Sequence, residues 1–509
     1  MNQRLRRDNI MPGPSYVFQT QRSFLTLFLV ILVLSACCIW LLNNHYVSDI
    51  AAWRWAKILG VTGADEFRLE HFRFIYPHVP FYVLIPFTLM PQGMQAAAPY
   101  FVSALAVAVL LALWNFHLRD YARPMWQRAL LILLMLIQPT VLWAATSGGY
   151  TAISLLMFYM LYRACLRMIY QEDVRAFIML GLILALYFFV DPITLFLFIA
   201  LVPFLAIIAP RKILLESPFS VYIMIAMPLL IAVFSWAYLN WIFEGSLTIF
   251  TSDPDSAFLG GWQDTPASEW LRHYGGKFFP PFVAAFKELA VFYPIVFLLI
   301  PLAARYTNHI KATIVLLFHP VIAVAFASHK YFLFHPIEIL SLVSAGIMAE
   351  LTVIPFVRRW KFPAVLVLFL FGSLLGWQRF SHISEPQISY WYQALTHSLS
   401  GDLYHSDARL GEWLAKHNKP TLIDERSAFR AIVARGNGKN LYLPISDRFK
   451  IQTRFRTPRI DLIVVPDPDT LLGGRDRINL RYPDLYEEGM AGFRRVYNYG
   501  GWRVYQNER

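Results

Sequence analysis

Asn43-Asn44-His45-Tyr46-Val47-Ser48-Asp49 follows directly on an apolar run from about 23 to 43, and the reading of this junction decides the rest. A helix needs about 20 residues to cross roughly 30 Å of hydrocarbon, and the run supplies them. It is longer than the core of a signal peptide and lacks a small-residue cleavage site, so it reads as a retained anchor. Asp49 then stands a few residues beyond the membrane. The stretch Asp49–Leu59 places Trp53, Trp55 and Lys57 among small apolar residues. That pattern suits a helix lying in the membrane interface. A carboxylate under such a helix is partly desolvated and can act as a base on a hydroxyl or amine. Aspartate also caps helix N-termini, and that reading stays open beside the first.

Working outward, ten more apolar runs follow, near 96–116, 126–144, 150–168, 176–190, 193–209, 219–242, 284–304, 312–328, 334–356 and 362–378. Eleven spans are therefore expected, with two short ones meeting at Asp191-Pro192. Every second break is basic: Arg4, Arg6, Arg7 and Arg22; Arg119, Arg123 and Arg128; Arg163, Arg167 and Arg175; Arg211 and Lys212; Arg305 and Lys311; Arg358, Arg359 and Lys361. Cytoplasmic loops carry that excess, so residues 1–22 are expected in the cytoplasm of a multi-pass plasma (inner) membrane protein. An odd number of spans then puts the C-terminus outside. Two breaks on the outer side are long, 44–95 and 243–283, and long ordered loops usually carry function.

The charge distribution marks a second boundary. From residue 381 on, 34 of 129 residues are charged, against 44 of the first 380. A membrane body over 23–380 and a water-soluble domain over 381–509 are expected. The latter alternates helix and strand. Asp407–His417 is amphipathic, Thr421–Ile423 and Asp461–Val465 are short apolar strands, and Gly492–Gln506 forms a hairpin around Gly500-Gly501. The fold class is thus an α-helical polytopic membrane protein with a C-terminal extracytoplasmic α/β domain.

Several functions are excluded or weakened on this basis. The net charge of +12 is spread over loop breaks and not gathered on a soluble face, which argues against nucleic acid. Cys37, Cys38 and Cys165 lie in apolar runs, so no disulfide framework is expected. No phosphate loop ending in Lys-Ser/Thr is present, which speaks against an ATP-driven pump. A transporter would place ionisable groups near the midplane and repeat one half in the other, and neither pattern stands out. His71 and His78 with Glu70 lack a repeated metal-ligand spacing.

The anchor, the acid after it, two juxtamembrane helices with the second opened at Tyr76-Pro77-His78-Val79-Pro80-Phe81-Tyr82, and the soluble α/β tail together resemble one family. They are similar to the GT-C superfamily of integral-membrane glycosyltransferases, with its protein O-mannosyltransferase-like and aminoarabinose transferase-like members. Asn240-Trp241-Ile242-Phe243-Glu244-Gly245 is similar to a segment found in bacterial members. The resemblance implies transfer of a sugar from a polyprenyl-phosphate carrier to a glycan, lipid or protein acceptor outside the membrane. It implies Asp49 as catalytic base, and His329, Lys330, Arg272 and His273, with Lys277 nearby, as candidates to hold the carrier phosphate. Family members often carry a second acid between the third and fourth spans. Here that turn reads Ala145-Thr146-Ser147-Gly148-Gly149-Tyr150, so Asp65, Glu66 and Asp191, with Glu338, are the candidates for it. A divalent cation stays open as a cofactor. A non-catalytic scaffold of the same fold is the alternative reading.

Overall fold

The computed structural model describes residues 16–63, 72, 77–121, 123–173, 175–252, 269–303, 307–330, 336–354, 361–383, 385–399 and 404–508. Its membrane part is built from α1 (Tyr16–Asn43), α2 (Asp49–Thr62), α3 (Ala98–Asp120), α4 (Met125–Ile137), α5 (Pro139–Thr146), α6 (Thr151–Gln171), α7 (Arg175–Phe188), α8 (Thr194–Ile208) and α9 (Pro218–Glu244). It continues through α10 (Glu269–Tyr274), α11 (Phe279–Phe292), α12 (Ile295–Ala303), α13 (Thr307–His329), α14 (Pro336–Val353), α15 (Lys361–Phe380) and α16 (Pro386–Leu395). The tail then runs α17 (His405–His417), β1 (Thr421–Leu422), α18 (Glu425–Arg435), β2 (Leu441–Tyr442), β3 (Leu462–Pro466), β4 (Phe493–Tyr499) and β5 (Trp502–Asn507), with short helical turns between.

Each of the eleven apolar runs contains a helix. Among the described residues, six helices are long and apolar enough to cross a membrane, or eight if each of two bent pairs is one span. The count of eleven is not reached on this measure. The segments α7 and α8 have 14 and 15 residues, or about 21 and 23 Å of helix, short of a bilayer's core. The bent pairs break where a proline follows: α4 and α5 meet at 72° at Gln138-Pro139, and α11 and α12 at 90° near Tyr293-Pro294. Proline disfavours the helical conformation of the residue before it, and Gln138 is extended, at ψ 121°. Its buried side chain donates to the Phe292 carbonyl at 3.0 Å and accepts from Ser373 Oγ at 2.6 Å. One amide thus satisfies a carbonyl orphaned at the other break.

The tail carries a five-stranded sheet in the order β2-β1-β3-β5-β4, parallel among β2, β1 and β3 and antiparallel across β3-β5-β4. Both faces of β3 are covered, in keeping with its unbroken run Leu-Ile-Val-Val-Pro. Ile463 and Val465 face a core with Phe449, Ile478 and Tyr505. Leu462 and Val464 face the other way, into a core that also holds Trp53, Trp55, Ile58 and Leu59 of α2.

That shared core changes the reading of α2. The expected interfacial helix is instead enclosed, with Ala51 through Leu59 buried. The helix packs against the tail's α18, and Trp53 meets Phe81 edge-on at 5.5 Å. Close approach is set by glycine pairs. A Cβ on Gly438 would lie 2.0 Å from the Leu59 carbonyl oxygen, and one on Gly63 would lie 2.5 Å from the Gly438 backbone.

Candidate functional site

The helix α2 starts at Ser48, whose hydroxyl accepts from the Ala51 amide and whose own amide donates to Tyr100 Oη at 2.9 Å. Ser48 is therefore the cap, and Asp49 is the first helical residue. An anion in that turn complements the helix dipole. Its carboxylate is reserved for other partners. Arg430 Nε and Nη2 both donate to Asp49 Oδ1, at 2.9 and 2.6 Å. Gln387 Nε2 donates to Oδ2 at 2.8 Å, while Gln387 Oε1 accepts the Asp49 amide at 3.1 Å.

Arg430 comes from α18 of the tail. Its Nη1 donates to Asp407 Oδ2 at 3.3 Å, and Trp502 Nε1 donates to Asp407 Oδ1 at 2.7 Å. The Tyr404 ring stacks against the guanidinium at 4.1 Å, a cation–π contact. Burial opposes the charge on Arg430, but Asp49, Tyr404 and Asp407 outweigh it and hold the guanidinium above its ordinary value. Burial pushes the Asp407 carboxyl up, with Arg430 pulling against it. Burial and the nearby Asp49 also push the Tyr404 phenol up to about 12.

Eight residues along α2, Lys57 makes a second ion pair with Glu425, also on α18; their side chains are 4% and 10% exposed. Arg54 points elsewhere. Its guanidinium donates to the Gly148 carbonyl at 3.3 Å and to the Pro80 carbonyl, and Nε has no hydrogen-bond partner among the described residues. Burial brings Arg54 down to about 9. It thereby ties α2 to the turn before α6 and to the short helix Val79–Tyr82.

Beyond that turn lies a narrow pocket lined by Thr151, Ser154, Tyr187, Asp191 and Glu338. Ser154 Oγ donates to Asp191 Oδ2 at 3.3 Å, and the Ile193 amide donates to Oδ1 at 3.0 Å. Thr151 Oγ1 donates to Glu338 Oε1 at 3.5 Å. Asp191 and Glu338, far apart in sequence, thus share one pocket. Tyr150 lies in the fields of both and of Arg54.

The basic candidates form a separate corner. The helix α10 packs on the end of α13: Trp270 Nε1 donates to Ser328 Oγ at 3.2 Å, and the Gly276 amide donates to the Ser328 carbonyl at 3.0 Å. His329 Nδ1 lies 3.1 Å from the Gly276 carbonyl, and Lys277 Nζ donates to the His273 carbonyl at 2.9 Å. Arg272, His273, His329 and Lys330 are all exposed there. Asp65 and Glu66 lie outside the described residues, as do Glu70 and His71. His78 is buried and stacked on Tyr82 at 5.4 Å, and burial lowers its imidazole to about 4. Among the described residues no group of three or more His, Cys, Asp or Glu could hold a metal ion.

Sequence reasoning missed Arg430, Gln387, Asp407 and Arg54. Arg54 had a visible signal, a cation between Trp53 and Trp55 on a face otherwise apolar. Arg430 and Gln387 had none, since they lie 381 and 338 residues from Asp49.

No family model matches the chain, and no curated protein matches it in sequence. Solved structures do. The crystal structure of ArnT from Cupriavidus metallidurans bound to undecaprenyl phosphate is similar with a TM-score of 0.57 and 14% identity, over 94% of this chain and 97% of that one. The same protein in the apo state is similar with a TM-score of 0.54 and 13% identity, over the same shares. Identity at this level speaks for architecture alone, and the architecture agrees over nearly the full length: the chain has the fold of that ArnT.

Proposed function

We propose that the chain is a membrane glycosyltransferase that moves a sugar from a polyprenyl-phosphate carrier to an extracytoplasmic acceptor, with Asp49 as base. The observation that carries this reading is the match over 94% of the chain to a transferase crystallised with undecaprenyl phosphate. The placement of a carboxylate at the first turn after the first span supports it. The basic breaks support a cytoplasmic N-terminus, a tail outside, and residence in the plasma (inner) membrane.

The chemistry is a single inverting displacement. The acceptor oxygen attacks the anomeric carbon, the bond to the carrier phosphate breaks, and the polyprenyl phosphate leaves with that electron pair. The acceptor proton passes to Asp49. A carboxylate offers about four lone-pair directions. Three are used here, two by Arg430 and one by Gln387. The direction left on Oδ2 is where an acceptor hydroxyl would sit. Arg272, His273, His329 and Lys330 would complement the phosphate and stabilise it as it departs. Asp191, which lines one pocket with Glu338, would serve as the second acid; Asp65 and Glu66 are the other candidates for that part.

The test is Asp49→Asn in cells that make the chain, with envelope lipids, glycans and proteins profiled by mass spectrometry. A glycosylated species should fall by about a hundredfold or more, the order expected of a lost catalytic base, while the protein accumulates normally. An unchanged profile overturns the reading. One observation favours the scaffold alternative: both Asp49 oxygens are already held by Arg430 and Gln387. On that alternative Asp49→Asn leaves every glycan unchanged and only loosens the tail.

A further inference from the structure

We infer that Arg430 is the positioning residue for Asp49, so that the tail completes the site and does not merely cover it. The inference rests on the reading of Asp49 as base and adds the partner that base requires.

Docking of the tail has supports other than Asp49. The helix α2 and the tail already share a core that includes Trp53, Trp55, Phe429, Val464 and Trp502. Lys57 and Glu425 pair across the same contact, and Gly63 and Gly438 meet backbone to backbone. These contacts fix the tail on α2 without Asp49. Nor does Arg430 need Asp49 for charge balance, because Asp407 of the tail already faces its Nη1. Yet the shortest contacts of the guanidinium go to Asp49 Oδ1, from two nitrogens at once.

The effect on Asp49 is directional. Oδ1 is saturated by two charge-assisted bonds. Gln387 takes one side of Oδ2, and its Oε1 holds the Asp49 amide, so the carboxylate cannot rotate freely. The remaining lone pair of Oδ2 is left in a fixed direction. Arg430 is itself fixed, by the Tyr404 face at 4.1 Å and by Asp407, which Trp502 holds in turn. Orientation is thus passed from β5 and α17 through α18 to a carboxylate on the membrane body. Displacing a reacting group by about 1 Å can cost on the order of a hundredfold in rate.

The experiment uses the full chain in spheroplasts, with the product first defined as the species that Asp49→Asn abolishes. Arg430→Ala should lower its formation by about 10- to 100-fold. Guanidinium chloride at millimolar concentration should restore part of the rate, while urea, of the same shape and uncharged, should not. Arg430→Lys keeps the charge but not the paired Nε and Nη2 contact. It should run at an intermediate rate with an unchanged melting temperature and an undigested tail on limited proteolysis. A wild-type rate for Arg430→Ala or Arg430→Lys overturns the inference, as does equal rescue by urea. If Asp49→Asn abolishes a product and Arg430→Ala does not, only this inference falls. If Asp49→Asn abolishes nothing, the transferase reading falls and takes the inference with it.

Discussion

Two corners of the molecule carry positive charge beside the membrane body, and they are built differently. At the α2–α18 corner, Arg430 is 19% exposed and meets Asp49, Asp407 and Tyr404, each of which has further partners. At the α10–α13 corner, Arg272, His273, His329 and Lys330 are exposed, and the hydrogen bonds that hold the corner run largely through backbone carbonyls. The first is a preorganised electrostatic device with little room to adapt. The second is an exposed basic cluster, proposed above as the place where the carrier phosphate sits. Single changes at the first should therefore cost stability or orientation, and changes at the second only the affinity of the proposed phosphate site.

The largest expected effect is at Lys57. Lys57→Ala leaves Glu425 buried without its cation, which costs about 3–5 kcal/mol. Thermal unfolding of the purified protein and proteolysis of the tail should both register it. A loss below about 1 kcal/mol, the range of an exposed pair, would erase the contrast. Next is Gly438→Ala. The new Cβ would lie 2.0 Å from the Leu59 carbonyl oxygen, and backbone cannot yield as a side chain can. Overpacking of this kind costs about 1–3 kcal/mol. Gly60→Ala meets the end of the Leu443 side chain instead and should cost less in the same melts.

A third expectation concerns buried acid in the tail. Asp476 caps the turn at Ile478 and Asn479 and accepts from Ser427 at 2.5 Å. Burial, and then Asp424 beside it, push its carboxyl up to about 8 from an ordinary 3.8. Between about pH 4 and pH 8 the folded carboxyl keeps a proton that the unfolded chain has lost. The tail should therefore lose stability as pH rises through that window and level off above it. Asp476→Asn should flatten the slope, read as melting temperature at pH 5 and pH 8. An unchanged slope would place the titration elsewhere. The smallest effects are expected at the exposed corner. Arg272→Ala or His329→Ala should lower retention of undecaprenyl phosphate, followed by native mass spectrometry, only a few-fold each. The difference should shrink as salt is raised. A hundredfold, salt-independent loss would mean that this corner is as tightly built as the first.

Sequence made some of this architecture legible. The apolar runs locate the membrane helices because hydrocarbon leaves a helix little alternative. Pro139 and Pro294 sit at the two breaks, yet the 126–144 and 284–304 runs read as straight spans, since hydropathy is blind to a bend. The strand at Leu462–Pro466 stood out through its composition. Its burial on both faces comes from the tail's own residues, with α2 joining the core on one side. Asp49 stood out through its position after the anchor. Its partners did not, because contact between residues nearly four hundred apart leaves no local pattern. The interfacial reading of Asp49–Leu59 took tryptophans and a lysine as marks of the membrane surface. The same residues here serve a protein surface, with Lys57 on Glu425 in place of a headgroup. Asp191 and Glu338 were each visible as acids at helix ends, and only folding brings them into one pocket.

The debt that α2 owes the tail has a consequence in time. More than 360 residues separate Thr62 from Glu425, and ribosomes add roughly 5–20 residues per second. The core around Trp53 and Trp55 therefore waits from about twenty seconds to about a minute for its tail half, while Phe81 follows within a few seconds. A helix of that composition has one natural resting place meanwhile, flat on the lipid headgroups. The final docking step is then a transfer from lipid to protein, and a chain truncated before α18 should leave α2 stranded on the bilayer surface.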